Sequence, residues 1–215
     1  MSRHQYEQGG LRVPYIAAWS TEQYRTPAVV LRGGQGGAGI GFADETPYDR
    51  DADGVLWVRQ VIAPGTGRPL FPNAHALRQR RAVKRMLCQV CGVDTLEQNP
   101  ERQLFVLKDI GQPVREGERT SAAPVCPPCA LIAVKECPHL REHVAAWVRR
   151  PVSWGVAGVL YDPRTLRPIP DEDLVQVSYD DDAAIRWVLA SRQLLSLQDC
   201  TAVDLRDLSP QLAVR

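Results

Sequence analysis

The chain has 215 residues, 44% of them hydrophobic, and a formal charge of +1 from 26 basic and 25 acidic side chains. This length and composition are sufficient for a packed core. The balanced charge excludes a bulk electrostatic attraction to nucleic acid or to an anionic membrane. Residues 1–10 lack the apolar segment of a signal peptide, and no run reaches the roughly 18 apolar residues of a membrane span. We therefore expect a soluble cytoplasmic protein without a membrane partner.

The N-terminal part of the chain is predicted to be rich in β-structure. Four short segments contain many β-branched or aromatic residues, and Gly, Pro or Asp separates them. They cover residues 15–19, 28–32, 40–43 and 55–62. The Pro- and Gly-containing residues 63–73 are predicted to form a loop.

Two patterns in this region resemble ligand-binding loops. Gly34, Gly36 and Gly39 satisfy Gly-x-Gly-x-x-Gly, but a dinucleotide site needs a helix next and residues 40–47 have no helical pattern, so we expect a loop. Residues 49–54 match the start of an EF-hand calcium loop. The twelfth position is Gln60 and the flanks are predicted strands, so a hairpin turn is favoured there.

A basic helix follows at residues 74–87, with Asn73 as its predicted N-cap. No acidic residue occurs between positions 68 and 85, and the basic side chains could contact the phosphates of DNA or RNA. The alternative is a solvated helix face that pairs with the acidic residues of 171–182. The candidate nucleic-acid-binding residues are Arg78, Arg81, Lys84 and Arg85.

Two Cys-x-x-Cys pairs provide the strongest chemical signal. Cys88 and Cys91 form the first pair, Cys126 and Cys129 form the second, and residues 92–125 separate them. Four thiolates in this pattern are typical ligands of one structural Zn²⁺ ion, and in the cytoplasm such cysteines are more often metal ligands than disulfides. Cys137 is an alternative ligand that could replace one of these four cysteines.

Residues 74–140 resemble a treble-clef zinc finger, in which the first cysteine pair lies on a knuckle and the second on the first turn of a helix. Pro127 and Pro128 suit that first turn. Among treble clefs the segment is similar to HNH-type nucleases, and this resemblance implies a general-base His and a catalytic metal. Residues 92–125 contain no His, so His139 and His143 are the nearest candidates.

Those two histidines also form His-x-x-Glu-His with Glu142, the pattern of inverted zinc peptidases. A polar helix end or loop is favoured, because only a short stretch follows and it is predicted to be β-structure. His139 could also replace one of the four cysteine ligands.

The remaining elements complete an α+β protein. Strands are predicted at 103–107, 144–148, 156–161 and 174–179, with helices at 127–136 and 183–197, the last capped by Asp182. We expect a β-rich region at 1–72, a four-cysteine zinc segment at 73–140 and a C-terminal α/β portion at 141–215, packed as one unit.

Three functions are compatible with these features. The first is a nucleic-acid-binding or regulatory module that uses the basic helix. The second is an HNH-like nuclease with displaced catalytic residues. The third is an enzyme acting on a small molecule or peptide, or a partner of another protein, in which zinc is only structural; a pocket lined by Trp57, Trp147 or Trp154 would favour it.

Overall fold

The computed structural model describes residues 5–25, 27–34 and 37–208. Within these residues, strands predominate and two α-helices are present, which confirms the α+β class. Neither helix of the described part has the length and apolar character needed to cross a membrane. The elements are β1 (Glu7–Gln8), β2 (Leu11–Arg12), β3 (Ala17–Trp19), β4 (Tyr24–Arg25), β5 (Val29–Gly34), β6 (Gly37–Phe42), β7 (Leu56–Trp57), β8 (Arg59–Gln60), β9 (Pro69–Ala74), α1 (Ala76–Lys84), β10 (Gln103–Lys108), β11 (Glu118–Thr120), α2 (Pro127–Glu136), β12 (His143–Leu160), β13 (Val175–Ser178) and β14 (Val188–Ala202).

A six-stranded sheet forms the centre of the fold. Its order is β10-β12-β14-β11, with β13 added to β12 and β7 added in parallel to β14. The long strands β12 and β14 are antiparallel from Ala146↔Ala202 to Leu160↔Val188. Two irregularities interrupt their register, one of them between Ser153 and Gly155. The N-terminal strands form two-stranded sheets, β1-β2, β3-β9, β4-β8 and β5-β6.

The two helices cover opposite faces of this sheet. Along β10, Leu104 and Val106 pack in one buried cluster with α2, whereas Phe105 and Leu107 pack in another with α1. Successive side chains of a strand point to opposite faces, so the alternation places one helix on each side. A strand buried on both faces has a continuous apolar sequence, as residues 104–107 do.

The sequence predicted several of these elements well. The helix predicted at 127–136 coincides with α2, and the strand predicted at 103–107 lies in β10. The strand predicted at 144–148 and residues 156–160 of the strand predicted at 156–161 are two parts of the single long strand β12, and Tyr161 after it forms an isolated bridge.

The helix predicted at 183–197 is wrong. Residues 188–202 form β14, and a single 3-10 turn, Ile185–Trp187, precedes this strand. Val188 and Ala190 enter one buried cluster, and Leu189 between them enters another. The apolar residues therefore serve two faces of a strand, and pairing with β12 outweighs the helical propensity of Leu, Ala, Arg and Gln.

The helix predicted at 74–87 is shorter than expected. Asn73 lies in β9 and is not the cap, so the loop predicted at 63–73 ends in a strand. His75 occupies the N-cap position, and the side chain of Gln60 accepts a hydrogen bond from the Ala76 amide. The helix ends at Lys84, because Met86 adopts a left-handed backbone with φ of 47°.

The glycine-rich segment forms a hairpin, not the predicted loop. β5 and β6 pair from Val29↔Phe42 to Gly34↔Gly37, while Gln35 and Gly36 lie outside the described residues. A Cβ atom on Gly39 would lie 2.6 Å from the carbonyl oxygen of Arg186. This glycine is therefore needed for close packing rather than for binding a dinucleotide.

Candidate metal centre

The first cysteine pair lies on a tight turn after α1. The Cys88 amide donates to the carbonyl oxygen of Val93 at 2.7 Å, and the Gly92 amide donates to the carbonyl oxygen of Cys88 at 2.7 Å. Gly92 has a φ of 67°, which a residue without a Cβ adopts at no steric cost. The sequence Cys-x-x-Cys-Gly thus folds into a knuckle that points both sulfurs the same way.

The second pair begins α2. Cys126 is the N-cap residue, with an extended backbone, and Cys129 lies within the first turn. Pro127 and Pro128 occupy positions where a helix does not need the amide hydrogen, so the two prolines fix the helix start without losing a hydrogen bond. The Cys126 amide points at the Sγ atom of Cys88 at 3.4 Å.

The four predicted ligands come together. Their Sγ atoms all lie within 4.8 Å of one another, and those of Cys91 and Cys126 are 3.8 Å apart. Cys88, Cys126 and Cys129 are buried, whereas Cys91 is partly exposed. In the described ranges, no other group of three or more His, Cys, Asp or Glu side chains is close enough to share an ion.

The thiols perturb each other strongly. The pKa of Cys88 is lowered to about 7, first by hydrogen bonds from Cys126 and Cys129 to its thiolate. The pKa of Cys91 is lowered for the same reason, and that of Cys129 is raised, first by its hydrogen bond to Cys126. Like charges at these separations cannot all ionise unaided, and a divalent cation removes that conflict.

Packing fixes the cysteine turn from several sides. The Gln89 amide donates to the carbonyl oxygen of Pro124 at 2.9 Å, and the Tyr15 amide donates to that of Val90 at 2.9 Å. Apolar side chains of β10, β12 and the 3-10 turn Leu205–Leu208 surround the sulfurs. The cluster therefore joins the N-terminal segment, α2 and the central sheet.

The other ligand candidates lie apart from this cluster. Cys137 is the C-cap residue that follows α2, and His139 lies in the 3-10 turn Pro138–Leu140. His143 begins β12, with its Nδ1 atom 3.0 Å from the carbonyl oxygen of Leu140. The two histidines are not one turn apart on a helix, so the peptidase-like pattern has no helical support.

The basic helix divides its charges between the interior and the surface. Arg78 is buried and donates to both carboxylate oxygens of Glu22, at 2.7 and 2.6 Å. The Nζ atom of Lys84 lies 3.5 Å from a carboxylate oxygen of Asp53. Arg81 and Arg85 are exposed, and no ion pair holds them within the residues described. Two of the four candidates thus remain available to an external partner.

The EF-hand-like segment is a turn, as favoured. Arg50 and Leu56 form an antiparallel bridge around it, and the Oδ1 atom of Asp51 accepts hydrogen bonds from the amides of Asp53 and Val55. The Oδ2 atom of Asp51 accepts from the indole of Trp57 at 2.8 Å. The aspartate stabilises the turn from inside the protein.

Sequence reasoning missed a buried polar group around Glu22. His75 is fully buried, its Nε2 atom lies 3.0 Å from the carbonyl oxygen of Val61, and its Nδ1 atom has no partner among the described residues. Burial lowers the pKa of this imidazole, which is therefore held neutral with Nε2 as the donor. No local sequence pattern predicts this buried polar cluster, because Glu22 and Arg78 are far apart in the chain.

Comparison of the chain with protein-family models, curated proteins and solved structures finds no significant match.

Proposed function

We propose that the chain is a zinc-binding protein in which one Zn²⁺ ion is structural. The observation that carries this proposal is the four-sulfur cluster of Cys88, Cys91, Cys126 and Cys129. A tetrahedral site with Zn–S bonds of about 2.3 Å has sulfurs about 3.8 Å apart, and the Cys91–Cys126 separation is 3.8 Å. Four thiolates leave no open position for a substrate, which favours a structural role.

The treble-clef resemblance supports the same role. One pair lies on a knuckle closed by Gly92, and the other lies on the first turn of α2. The bound ion would neutralise the thiolates and link the knuckle to α2. The cluster also contacts β10 and β12, so we expect loss of the metal to loosen the packing between α2 and the central sheet.

Metal analysis before and after treatment with a chelator tests the proposal. We expect one zinc per chain, and we expect Cys88→Ser or Cys126→Ser to give metal-free or insoluble protein. Cys137→Ser and Cys200→Ser are matched controls that should keep the metal, because both thiols lie outside the cluster. Soluble Cys88→Ser and Cys126→Ser variants with full zinc content would refute the assignment.

A second candidate function is binding of DNA or RNA through the exposed part of α1. Arg81 and Arg85 support it, because both are exposed and carry no intramolecular ion pair in the described chain. Lys84 can join them only by giving up its ion pairs with Asp53, at 3.5 Å, and with the buried Asp51, at 3.9 Å. Two or three phosphate contacts predict weak binding whose logarithmic salt slope is about −2 to −3.

The double variant Arg81→Gln/Arg85→Gln tests this candidate in a mobility-shift assay with duplex DNA and duplex RNA at several salt concentrations. Arg164→Gln, at an exposed arginine in the turn that follows Asp162, is the control. We expect the double variant to weaken binding and flatten the salt slope, and the control to leave both unchanged. Equal binding by all three proteins would contradict a role for α1.

The other two functions receive unequal support. A nuclease needs a catalytic metal, and in the part of the chain described here neither His139 nor His143 belongs to a group of three or more side chains that could share an ion. The HNH-like nuclease therefore stays a prediction from the sequence, without support from the geometry around these two histidines. A small-molecule role is favoured by two cavities, one lined by Trp57 and the other by Trp147.

A further inference from the structure

Arg80 is a partly buried cation whose hydrogen-bonding capacity is unused. Its guanidinium carbon lies 4.5 Å from the ring centroid of Trp57, and no hydrogen bond or ion pair engages the side chain among the described residues. Nearby Arg59 and Arg78, by contrast, each bind a carboxylate at 2.6 to 2.7 Å. Asp51 approaches the same indole, but its oxygen atoms accept from the indole nitrogen, from backbone amides and from the Tyr179 hydroxyl, and one of them lies 3.9 Å from the Nζ atom of Lys84.

The charge of Arg80 persists despite this burial. Desolvation lowers the pKa of the guanidinium, with Asp51 acting in the opposite direction. A guanidinium nevertheless stays protonated at neutral pH. Burying an ion costs free energy unless a partner compensates it, so an anionic ligand would be favoured at this position.

Arg80 lines a cavity of about 200 Å³ between α1 and the β7–β8 segment. Trp57 and Arg59 contribute from the strand side, and Leu77 contributes from the helix. Tyr48 also lines the cavity and is 92% exposed, so its ring is free to contact a ligand. The cavity thus combines a cation, an apolar wall and an aromatic side chain open to solvent.

Arg59 supplies a second, rigidly held cation. Its Nε and Nη2 atoms bind the two oxygens of Asp49, each at 2.7 Å, while Nη1 and Nη2 bind Asp44. Four of its five N–H donors are thereby used, which leaves one on Nη1. Among the residues that line the cavity, the two cations Arg59 and Arg80 exceed the one carboxylate, Asp49, by one charge; Asp44, which Arg59 also binds, lies outside the lining.

We propose that this cavity binds a phosphate group, with Arg80 as the principal ligand and Arg59 as a supporting donor. The planar guanidinium fork matches two oxygens of a phosphate. The volume is below that of a site for a whole drug-sized ligand, so the cavity accommodates the phosphate while the remainder of the molecule lies against Tyr48. A small phosphomonoester with an aromatic group, such as a nucleoside monophosphate, has this chemistry.

Calorimetric titration of the metal-loaded protein with inorganic phosphate, AMP and adenosine tests the proposal. We expect phosphate and AMP to bind and adenosine not to bind. AMP should bind more tightly than phosphate, because the base can stack on Tyr48. Tyr48→Ala should remove this advantage of AMP without changing the affinity for inorganic phosphate.

Variants of Arg80 distinguish specific binding in this cavity from a general attraction of anions to the protein surface. Arg80→Gln should lower the affinity for phosphate and for AMP about tenfold or more, and Arg80→Lys should bind both with intermediate affinity. Arg164→Gln, at an exposed arginine outside the cavity, should bind like the original protein. The melting temperature without ligand verifies that each variant is folded.

Three results would overturn the proposal. One is no binding of phosphate or AMP, and another is equal affinity in folded Arg80→Gln. The third is binding of a duplex oligonucleotide without binding of either small phosphate, which would place the phosphate contacts on an extended surface. The proposed zinc site is unaffected by each of these results, because none of its ligands lines this cavity.

Discussion

The buried pair of Glu22 and Arg78 should contribute a large part of the protein's stability. The Glu22 side chain is fully buried and accepts four hydrogen bonds, two from Arg78 and one each from the amides of Trp19 and Ala63. Arg78 also donates to the carbonyl oxygen of Ala17 at 2.6 Å. Removing one partner leaves the other charge buried and unpaired, which costs about 3–5 kcal/mol.

The predicted effect can be measured by urea denaturation at neutral pH with the metal bound. Typical domains have unfolding free energies of about 5–15 kcal/mol, so Glu22→Gln should lose a substantial fraction of the total. Arg78→Met should be similarly costly. The double variant should lose much less than the sum, because the two residues act as one unit.

The pair should also make stability depend on acid pH. Hydrogen bonds and the charge of Arg78 outweigh desolvation and lower the pKa of Glu22 below its ordinary value of 4.5. A lowered folded-state pKa contributes stability above about pH 4.5 and loses it as the pH falls through the folded value. A loss below about 1 kcal/mol for Glu22→Gln, or additive losses in the double variant, would refute the reasoning.

Two further predictions concern the sheet and the Asp49–Arg59 pair. Gly155→Ala should destabilise the protein by about 1–3 kcal/mol, because the added Cβ would clash with the carbonyl oxygen of Val177. Gly33→Ala is the control: a Cβ there has no atom within 4 Å, so the variant should be near neutral in the same denaturation assay. Hydrogen bonds from Arg59 hold the pKa of Asp49 at about 2, so the pair should contribute about 2 kcal/mol above pH 4 that is lost as the pH falls towards 2. Melting curves of Arg59→Gln between these pH values should lack that part of the acid sensitivity, and an unchanged pH dependence would contradict the ion pair's contribution.

Local patterns predicted the four-cysteine cluster because its determinants are local. Each cysteine pair needs only its own turn, the two prolines fix the start of α2, and Gly92 closes the knuckle. Only the approach of the two pairs depends on the rest of the fold. The sequence therefore identified all four members of the cluster.

Long-range pairing explains what the sequence did not predict. The apolar spacing of β14 suits a helix and a doubly buried strand equally, and only pairing with β12 decides between them. Arg78 and Arg81 are both arginines of the same helix and look equivalent in the sequence, but only Arg78 is buried, where it binds Glu22. The cavity at Arg80 depends on residues from three separate segments, so no single motif could reveal it.

The order of elements along the chain has a consequence for folding during synthesis. All four clustered cysteines precede β12 and β14, the two long strands at the centre of the sheet. A ribosome therefore releases all four cysteines of the proposed zinc site before either central strand exists. If the proposed zinc ion binds the emerging chain, it restricts the conformations of residues 88–129 early and holds β10 beside α2 when β12 arrives to pair with it.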